Sequence, residues 1–197
     1  GDAAEKRFRR HDSARPHADA ASFRAKLSAP DAADKLLVLD VRNGFEYDVG
    51  HFKNAERAPI RTMHEWTRYV DSEDVVGRAR GREVLMYCTG GVRCERASAF
   101  LTQEGIRPHG QLEGGIHRYL EQYPDEGGHW VGKNYVFDRR FAHGAAKHDV
   151  VSRCGICSIP WDRYQAGAKC PSCSMEVLVC RTCQRAKKAS PKCHLCT

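Results

Sequence analysis

Apolar and polar positions along the chain alternate between two kinds of run. Lys35 to Val41 is a short, nearly continuous apolar stretch, and Glu83 to Tyr87 is another. Both read as strands buried on two faces, the pattern of a parallel sheet covered on either side. Arg57 to Ile60 and Gln111-Leu112-Glu113 are shorter strand candidates. Between these runs the apolar spacing becomes helical. Ala20, Phe23 and Leu27 share one face before Pro30-Asp31 ends that element. Met63, Trp66 and Val70 share a face of a helix predicted over Thr62 to about Val70. Ala97, Phe100 and Leu101 form the inner face of a helix over Arg93 to Glu104, which Gly105 stops. A last helix is expected over Ile116 to Gln122, between Gly114-Gly115 and Pro124. Strand and helix in alternation predict an α/β domain with a central parallel sheet, spanning residues 17–128.

Outside that domain the pattern fades. Residues 1–16 are polar and read as a flexible lead-in, and Gly1-Asp2 looks like a cut end with more chain expected before it. Residues 129–150 read as an extended segment, Trp130 to Phe141, followed by a Gly/Ala/His linker. A cysteine-rich module fills 151–197. No run approaches the length of a membrane span, and no signal-peptide order is present, so no membrane partner is expected.

Cysteine usage changes the picture most. Eight of the ten cysteines fall in four C-x-x-C pairs: Cys154/Cys157, Cys170/Cys173, Cys180/Cys183 and Cys193/Cys196. Two intervening residues let a tight turn hold two sulfurs about 3.5–4 Å apart, as tetrahedral Zn²⁺ requires. Four pairs therefore give two closed Cys₄ sites, hence two zinc ions, structural rather than catalytic. A disulfide framework, a redox C-x-x-C and an Fe–S cluster are the competing readings. Four pairs in series argue against a redox motif. Metal thiolates suit a reducing compartment, so a cytoplasmic protein is expected. The interval of 12 residues between the first two pairs favours sequential sites, 154/157/170/173 and 180/183/193/196, over interleaved ones, 154/157/180/183 and 170/173/193/196. His194, inside the last knuckle, reads as an exposed histidine because the cysteines already close both sites.

The formal charge of +7 is uneven: residues 147–197 carry nine basic and three acidic side chains, against 23 and 22 in residues 1–146. A basic tail is an electrostatic hint of nucleic acid. Metal-bound thiolates would offset most of that charge, which is the plainer reading.

The remaining two cysteines are Cys88 and Cys94. Cys88 heads the loop Cys88-Thr89-Gly90-Gly91-Val92-Arg93, which runs from a strand directly into a helix. The glycines let successive N–H groups turn inward. The helix start adds partial positive charge, and Arg93 adds a cation. All three would converge on Cys88 and favour its thiolate, the reactive form. A buried, inert strand-end cysteine is the alternative, but it leaves the glycines and the arginine unexplained. A thiolate phosphatase separates its Cys and Arg by five residues, whereas four lie between Cys88 and Arg93. The tighter ring favours a smaller group, such as one sulfur. Cys94 has two readings, a thiol that resolves an oxidised or persulfidated Cys88, or a packing residue.

These motifs resemble the rhodanese family. Leu39-Asp40-Val41-Arg42, Glu46-Tyr47 and Gly50-His51-Phe52-Lys53-Asn54-Ala55 look like its first signature. Tyr87 and the Cys88 loop look like its active-site motif, and Gln111-Leu112-Glu113-Gly114-Gly115-Ile116 resembles its late Leu-x-Gly-Gly segment. The resemblance implies a three-layer α/β domain followed by the zinc-stapled module. It also implies a sulfurtransferase in which Cys88 takes sulfur from a donor such as thiosulfate, as a persulfide, and passes it to a thiol or cyanide. Asp40 and Arg42 would then support the pocket, although a solvated surface ion pair is the equal alternative. A narrower stretch, Tyr87 to Ala99 followed by Tyr135-Val136-Phe137-Asp138-Arg139-Arg140 and a cysteine-rich tail, resembles the rhodanese-like tRNA uridine hydroxylases. That resemblance implies tRNA as a partner and a further small α/β domain before this one. A third reading is a non-catalytic zinc module that binds RNA or protein.

Overall fold

The structure is a computed structural model, and it describes residues 16–125, 128–135, 142–143, 150–164 and 168–197. Most of the expected lead-in, the Val136 to Arg140 motif and most of the linker lie outside the described residues.

Chain order begins with strand β1 (His17–Ala18), helix α1 (Ala20–Leu27), the short helix α2 (Ala32–Lys35) and strand β2 (Leu36–Asp40). Asp19 caps α1, its carboxylate accepting from the Ser22 N–H at 2.7 Å. Helix α3 (Gly44–Val49) and strands β3 (Gly50–Phe52) and β4 (Glu56–Arg57) follow. Next come a 3₁₀ turn over Met63–Glu65, helices α4 (Trp66–Ser72) and α5 (Val75–Ala79), and strand β5 (Glu83–Tyr87). Helix α6 (Val92–Gln103), strand β6 (Gly110–Leu112) and helix α7 (Gly115–Gln122) complete the sheet domain. Strands β7 (Trp130–Gly132), β8 (Asn134–Tyr135) and β9 (Ala142–His143) precede the tail, whose one helix among the described residues is α8 (Arg181–Arg185).

Five strands form one parallel sheet in the order β1-β6-β5-β2-β4. β2 and β5 lie at its centre, in register from Leu36 opposite Glu83 to Asp40 opposite Tyr87. Alternation sorts their side chains onto two faces. Leu37, Leu39, Val84 and Met86 pack under α4, α5 and α6, with Trp66, Tyr69, Phe100 and Leu101. Leu36, Val38, Leu85 and Tyr87 pack against α1 and α7, with Phe23, Ile116, Tyr119 and Trp130. The three-layer α/β expectation is met.

Several boundaries differ from the sequence reading. The strand expected over 57–60 stops at Arg57, because Pro59 has no N–H to give a ladder and Ile60 turns back to the Ala58 carbonyl at 2.8 Å. The helix expected from Thr62 opens as a 3₁₀ turn and runs on to Ser72. α3 is short, and its apolar residues serve more than one neighbour, so helical spacing does not reveal it. β3 pairs antiparallel with β7, Gly50 opposite Gly132 and Phe52 opposite Trp130, a link between segments about 80 residues apart that no local pattern encodes.

Candidate active site and cysteine clusters

β5 delivers Cys88 to the carboxyl end of the sheet, and α6 begins four residues later. Gly91 closes the loop in the left-handed region, at φ 92°. Its N–H points back and donates to Cys88 Sγ at 3.1 Å. The backbone N–H groups of Arg93 and Cys94, in the first turn of α6, also point at this sulfur. The neighbouring Cys94 side chain, followed by the backbone donors and the Arg93 cation, brings the Cys88 pKa from 9.0 down to about 6 against the opposing effect of burial. Cys88 is 1% exposed, yet its resting form at neutral pH is the thiolate. Cys94 is pushed the other way, well above its ordinary value, by burial and by the adjacent Cys88 charge. The two sulfurs therefore divide one proton unequally.

Arg93 does not turn its guanidinium into the loop alone. It grips Glu46 of α3 with two hydrogen bonds, Nη1 to Oε2 at 2.6 Å and Nη2 to Oε1 at 2.8 Å, and Nη2 also reaches Thr89 Oγ1 at 3.0 Å. Glu46 is fully buried, and its Oε2 also accepts the Asn43 N–H at 3.1 Å, forming a capping box at the start of α3. The motif that contains Glu46 does not disclose this role, although the capping-box spacing from Asn43 to Glu46 is visible in the sequence.

A second unassigned contact lies beneath the loop. The Ile116 N–H donates to the Cys88 carbonyl at 3.0 Å, and the His117 N–H to the Thr89 carbonyl at 3.2 Å. Gly115, at φ 66°, makes this approach possible: a Cβ there would stand 2.5 Å from both carbonyl oxygens. The Gly114-Gly115 segment thus holds the loop's carbonyls while the loop's N–H groups hold the sulfur. Gly90 and Val92 form the outer rim, and Val92 is 78% exposed.

Asp40 and Arg42 are not a solvated surface pair. Both are buried, and Arg42 Nε and Nη2 clasp the carboxylate at 3.0 and 2.6 Å. The alternation of β2 sends them to the α1/α7 face, where Nη2 reaches the Gly50 carbonyl at 2.6 Å and the guanidinium lies over Tyr87 and Trp130. Their contacts tie β2 to the antiparallel β3–β7 pair, on the opposite face of the sheet from the Cys88 sulfur.

In the tail, two sulfur clusters form. They are Cys154/Cys157/Cys180/Cys183 and Cys170/Cys173/Cys193/Cys196, the sulfurs of each lying within 4.8 Å of one another. The pairing is interleaved, and the sequential assignment is wrong. The reason is a small duplication. The knuckles at 154 and 170 are built alike, each with a left-handed serine, Ser158 or Ser174, and a bridge that closes a finger. Two like fingers side by side each need a different partner, and the chain supplies Cys180/Cys183 to the first and Cys193/Cys196 to the second. Backbone N–H groups point at the sulfurs, Cys180 to Cys154 Sγ at 3.3 Å and Cys183 to Cys180 Sγ at 3.4 Å. Four converging sulfurs with N–H donors around them are a donor set suited to a soft divalent ion. His194 is exposed and belongs to neither cluster; its Nδ1 lies 2.8 Å from Arg57 Nη2.

The tail packs against α3. The Tyr164 hydroxyl donates to the Phe45 carbonyl at 2.7 Å, and Phe45, Tyr135 and Tyr164 meet edge to face. Arg61 Nη2 reaches Cys196 Sγ at 3.6 Å. No helix among the described residues is long and apolar enough to cross a membrane.

Comparisons with known proteins agree with this architecture. The model of the rhodanese-like domain matches residues 19–122, and that of the rhodanase C-terminal region matches 131–197. "Rhodanese-like domain-containing protein 6" of Arabidopsis thaliana is 39% identical over 91% of this chain and 32% of its own length. A "tRNA uridine(34) hydroxylase" of Acholeplasma laidlawii is 40% identical over 79% of this chain and 48% of its own. The crystal structure of a rhodanese-related protein from Thermoplasma volcanium is 26% identical, with a TM-score of 0.43 over 55% of this chain and 93% of that one. The chain spans about a third to a half of the length of the curated relatives it matches. With one family model across its sheet domain and a companion model across its cysteine-rich tail, the chain belongs to the rhodanese-like domain family.

Proposed function

We propose that this chain is the thiolate-bearing part of a tRNA-modifying enzyme that hydroxylates uridine, with Cys88 as its reactive group. The observation that carries the reading is the Cys88 sulfur, held as a thiolate by Cys94 and three backbone N–H groups at the carboxyl end of the sheet. The support for tRNA comes from relatives named tRNA uridine(34) hydroxylase, 34–40% identical to this chain. Hydroxylation replaces a C–H bond of the base by C–O and therefore needs a two-electron oxidant as co-substrate, dioxygen with a reductant or a peroxide, while the chain's contribution is a nucleophile kept charged in a buried site. The two tail clusters hold zinc, which fixes the tail against α3 and takes no part in the chemistry. The test is nucleoside mass spectrometry of tRNA from cells whose only full-length copy carries Cys88→Ser. Loss of the hydroxylated uridine at position 34 is expected, and an unchanged level would refute the reading.

Sulfur transfer through a Cys88 persulfide is the second reading, and the loop geometry favours it. Four residues between Cys88 and Arg93 leave a ring suited to one added sulfur, whose negative charge the same N–H groups would bind. Thiosulfate as donor and cyanide or a thiol as acceptor are the simplest probes. Thiocyanate release that disappears in Cys88→Ser, together with a gain of about 32 Da on Cys88, the mass of one sulfur, is the expected result. No turnover with any sulfane donor would exclude it.

A further inference from the structure

Helix α3 is gripped from two sides. On the side of the sheet, Glu46 holds both ends of the Cys88 loop. It takes the two Arg93 hydrogen bonds, and its Oε1 accepts from Thr89 Oγ1 at 3.4 Å. On the side of the tail, the Tyr164 hydroxyl donates to the carbonyl of Phe45, the residue just before Glu46. Val49, at the far end of α3, packs with Tyr135, Tyr164 and Leu178. The last cysteine knuckle closes on the start of the helix. Arg57 Nη2 lies between the Gly44 carbonyl, at 3.3 Å, and His194 Nδ1, at 2.8 Å. Arg61 reaches Cys196 Sγ at 3.6 Å, and the carbonyl of the preceding Ile60 accepts the Gly44 N–H at 3.1 Å. The fit is close: a Cβ on Gly44 would stand 2.7 Å from the His194 ring and 3.2 Å from Arg57 Nε. Glycine is a poor helix residue, and this approach is what its place at the start of α3 permits.

We propose that the cysteine-rich tail positions the Cys88 loop through α3, with Tyr164 and Arg61 as positioning residues, so that metal held by Cys170, Cys173, Cys193 and Cys196 sets the reactivity of a sulfur it never touches. The inference rests on the thiolate reading of Cys88 and on nothing about RNA. Phe45 and Glu46 are consecutive in one helical turn, so the carbonyl that takes Tyr164 and the carboxylate that takes Arg93 move together. The tail's grip depends on its metal. Its buried apolar residues centre on the cysteines, and a module of that kind folds around the ion. His194 lies between the ligands Cys193 and Cys196, so freeing that knuckle also frees the contacts to Arg57 and Arg61. With them gone, α3 is supported from the sheet side alone, and Glu46 loosens its hold on Thr89 and Arg93. The charged and titratable groups that face Cys88 are Arg93 and Cys94 of α6, with Glu46 behind Arg93, whereas Asp40 and Arg42 lie across the sheet. A first turn of α6 that drifts from the sulfur carries its N–H groups and the Arg93 cation away, and the thiol form gains.

The experiment follows alkylation of the Cys88 peptide against pH in the zinc-loaded chain and in Cys193→Ser with Cys196→Ser, whose loss of one zinc is checked by elemental analysis. The wild-type midpoint is expected at about 6, and the variant's above it, towards the 9.0 of an ordinary thiol. Tyr164→Ala leaves every metal ligand in place and removes the contact with Phe45. It should keep two zinc ions, move the midpoint in the same direction and speed hydrogen exchange of the α3 amides. A midpoint that stays at 6 after the second metal is lost would overturn the inference. A shift in the serine variant that Tyr164→Ala does not share would also overturn it, because the effect would then bypass α3. A wild-type midpoint near 9 would overturn the thiolate reading and this inference with it. Midpoints that move as expected in a protein that leaves tRNA unmodified would tell against the hydroxylase reading alone.

Discussion

Glu46 and Arg93 face each other across the space between α3 and α6 and join by two parallel hydrogen bonds, at 2.6 and 2.8 Å. Glu46 is sealed from solvent, while Arg93 keeps about a quarter of its side chain exposed. The pair fixes the helix that follows Cys88 to the helix that carries the tail's contact residue Phe45. Glu46→Gln keeps the shape and removes the charge, leaving Arg93 with a weaker acceptor. Urea unfolding should show a loss of about 1–3 kcal/mol, the usual size for a buried charge-assisted hydrogen bond. Unchanged stability would mean that the pair is incidental.

Cys88 should titrate near neutrality. Its alkylation rate, followed on the peptide that carries it, should rise with pH to a plateau with a midpoint of about 6, against 9.0 for an ordinary thiol. The largest cause of the shift is the Cys94 side chain, so Cys94→Ala should move the midpoint up, towards 9. Losing a group that favours the charged form disfavours that form, which fixes the sign. A midpoint that stays at 6 in the alanine variant would assign the shift to the backbone donors and the Arg93 cation.

Interleaved clusters make a specific claim about metal counts. Cys154→Ser with Cys183→Ser damages one cluster, while Cys154→Ser with Cys170→Ser damages both. Elemental analysis should find two zinc ions in the wild type, one in the first double variant and none in the second. Sequential pairing reverses the order of the two variants. Chelation should unfold the tail, whose buried apolar residues are few and centred on the cysteines.

Gly115→Ala tests the support beneath the loop. A methyl group there meets the backbone carbonyls of Cys88 and Thr89 at 2.5 Å, and neither can rotate away. Its φ of 66° is also costly for alanine. The variant should lose about 2 kcal/mol or more of stability, in the range of overpacked sites, and its Cys88 should alkylate more slowly at pH 7. A wild-type alkylation rate would show that the loop does not depend on this contact.

Much of this protein was legible in one dimension. Leu36 to Asp40 and Glu83 to Tyr87 announce themselves because a strand covered on both faces must be apolar throughout. Cys88 stands out because a strand–Cys–Gly-Gly–Arg–helix order has few other physical uses, and the eight tail cysteines because paired thiols need a metal or a bond. What stayed hidden depended on distance along the chain. The partner of Arg93 is 47 residues away, the partners of the Cys88 and Thr89 carbonyls are 28 residues on, and β3 pairs with β7 about 80 residues further along the chain. Local spacing also misassigned the tail, because an interval of 12 residues is compatible with either pairing and only the packing of two like fingers selects one. Sequence by itself determined which atoms could react and which could bind metal, since those properties belong to residue types and short spacings. The tertiary structure alone decided which sulfur keeps the proton, which carboxylate holds the arginine, and which cysteines meet, because each is set by distances and burial that exist only once the chain has folded.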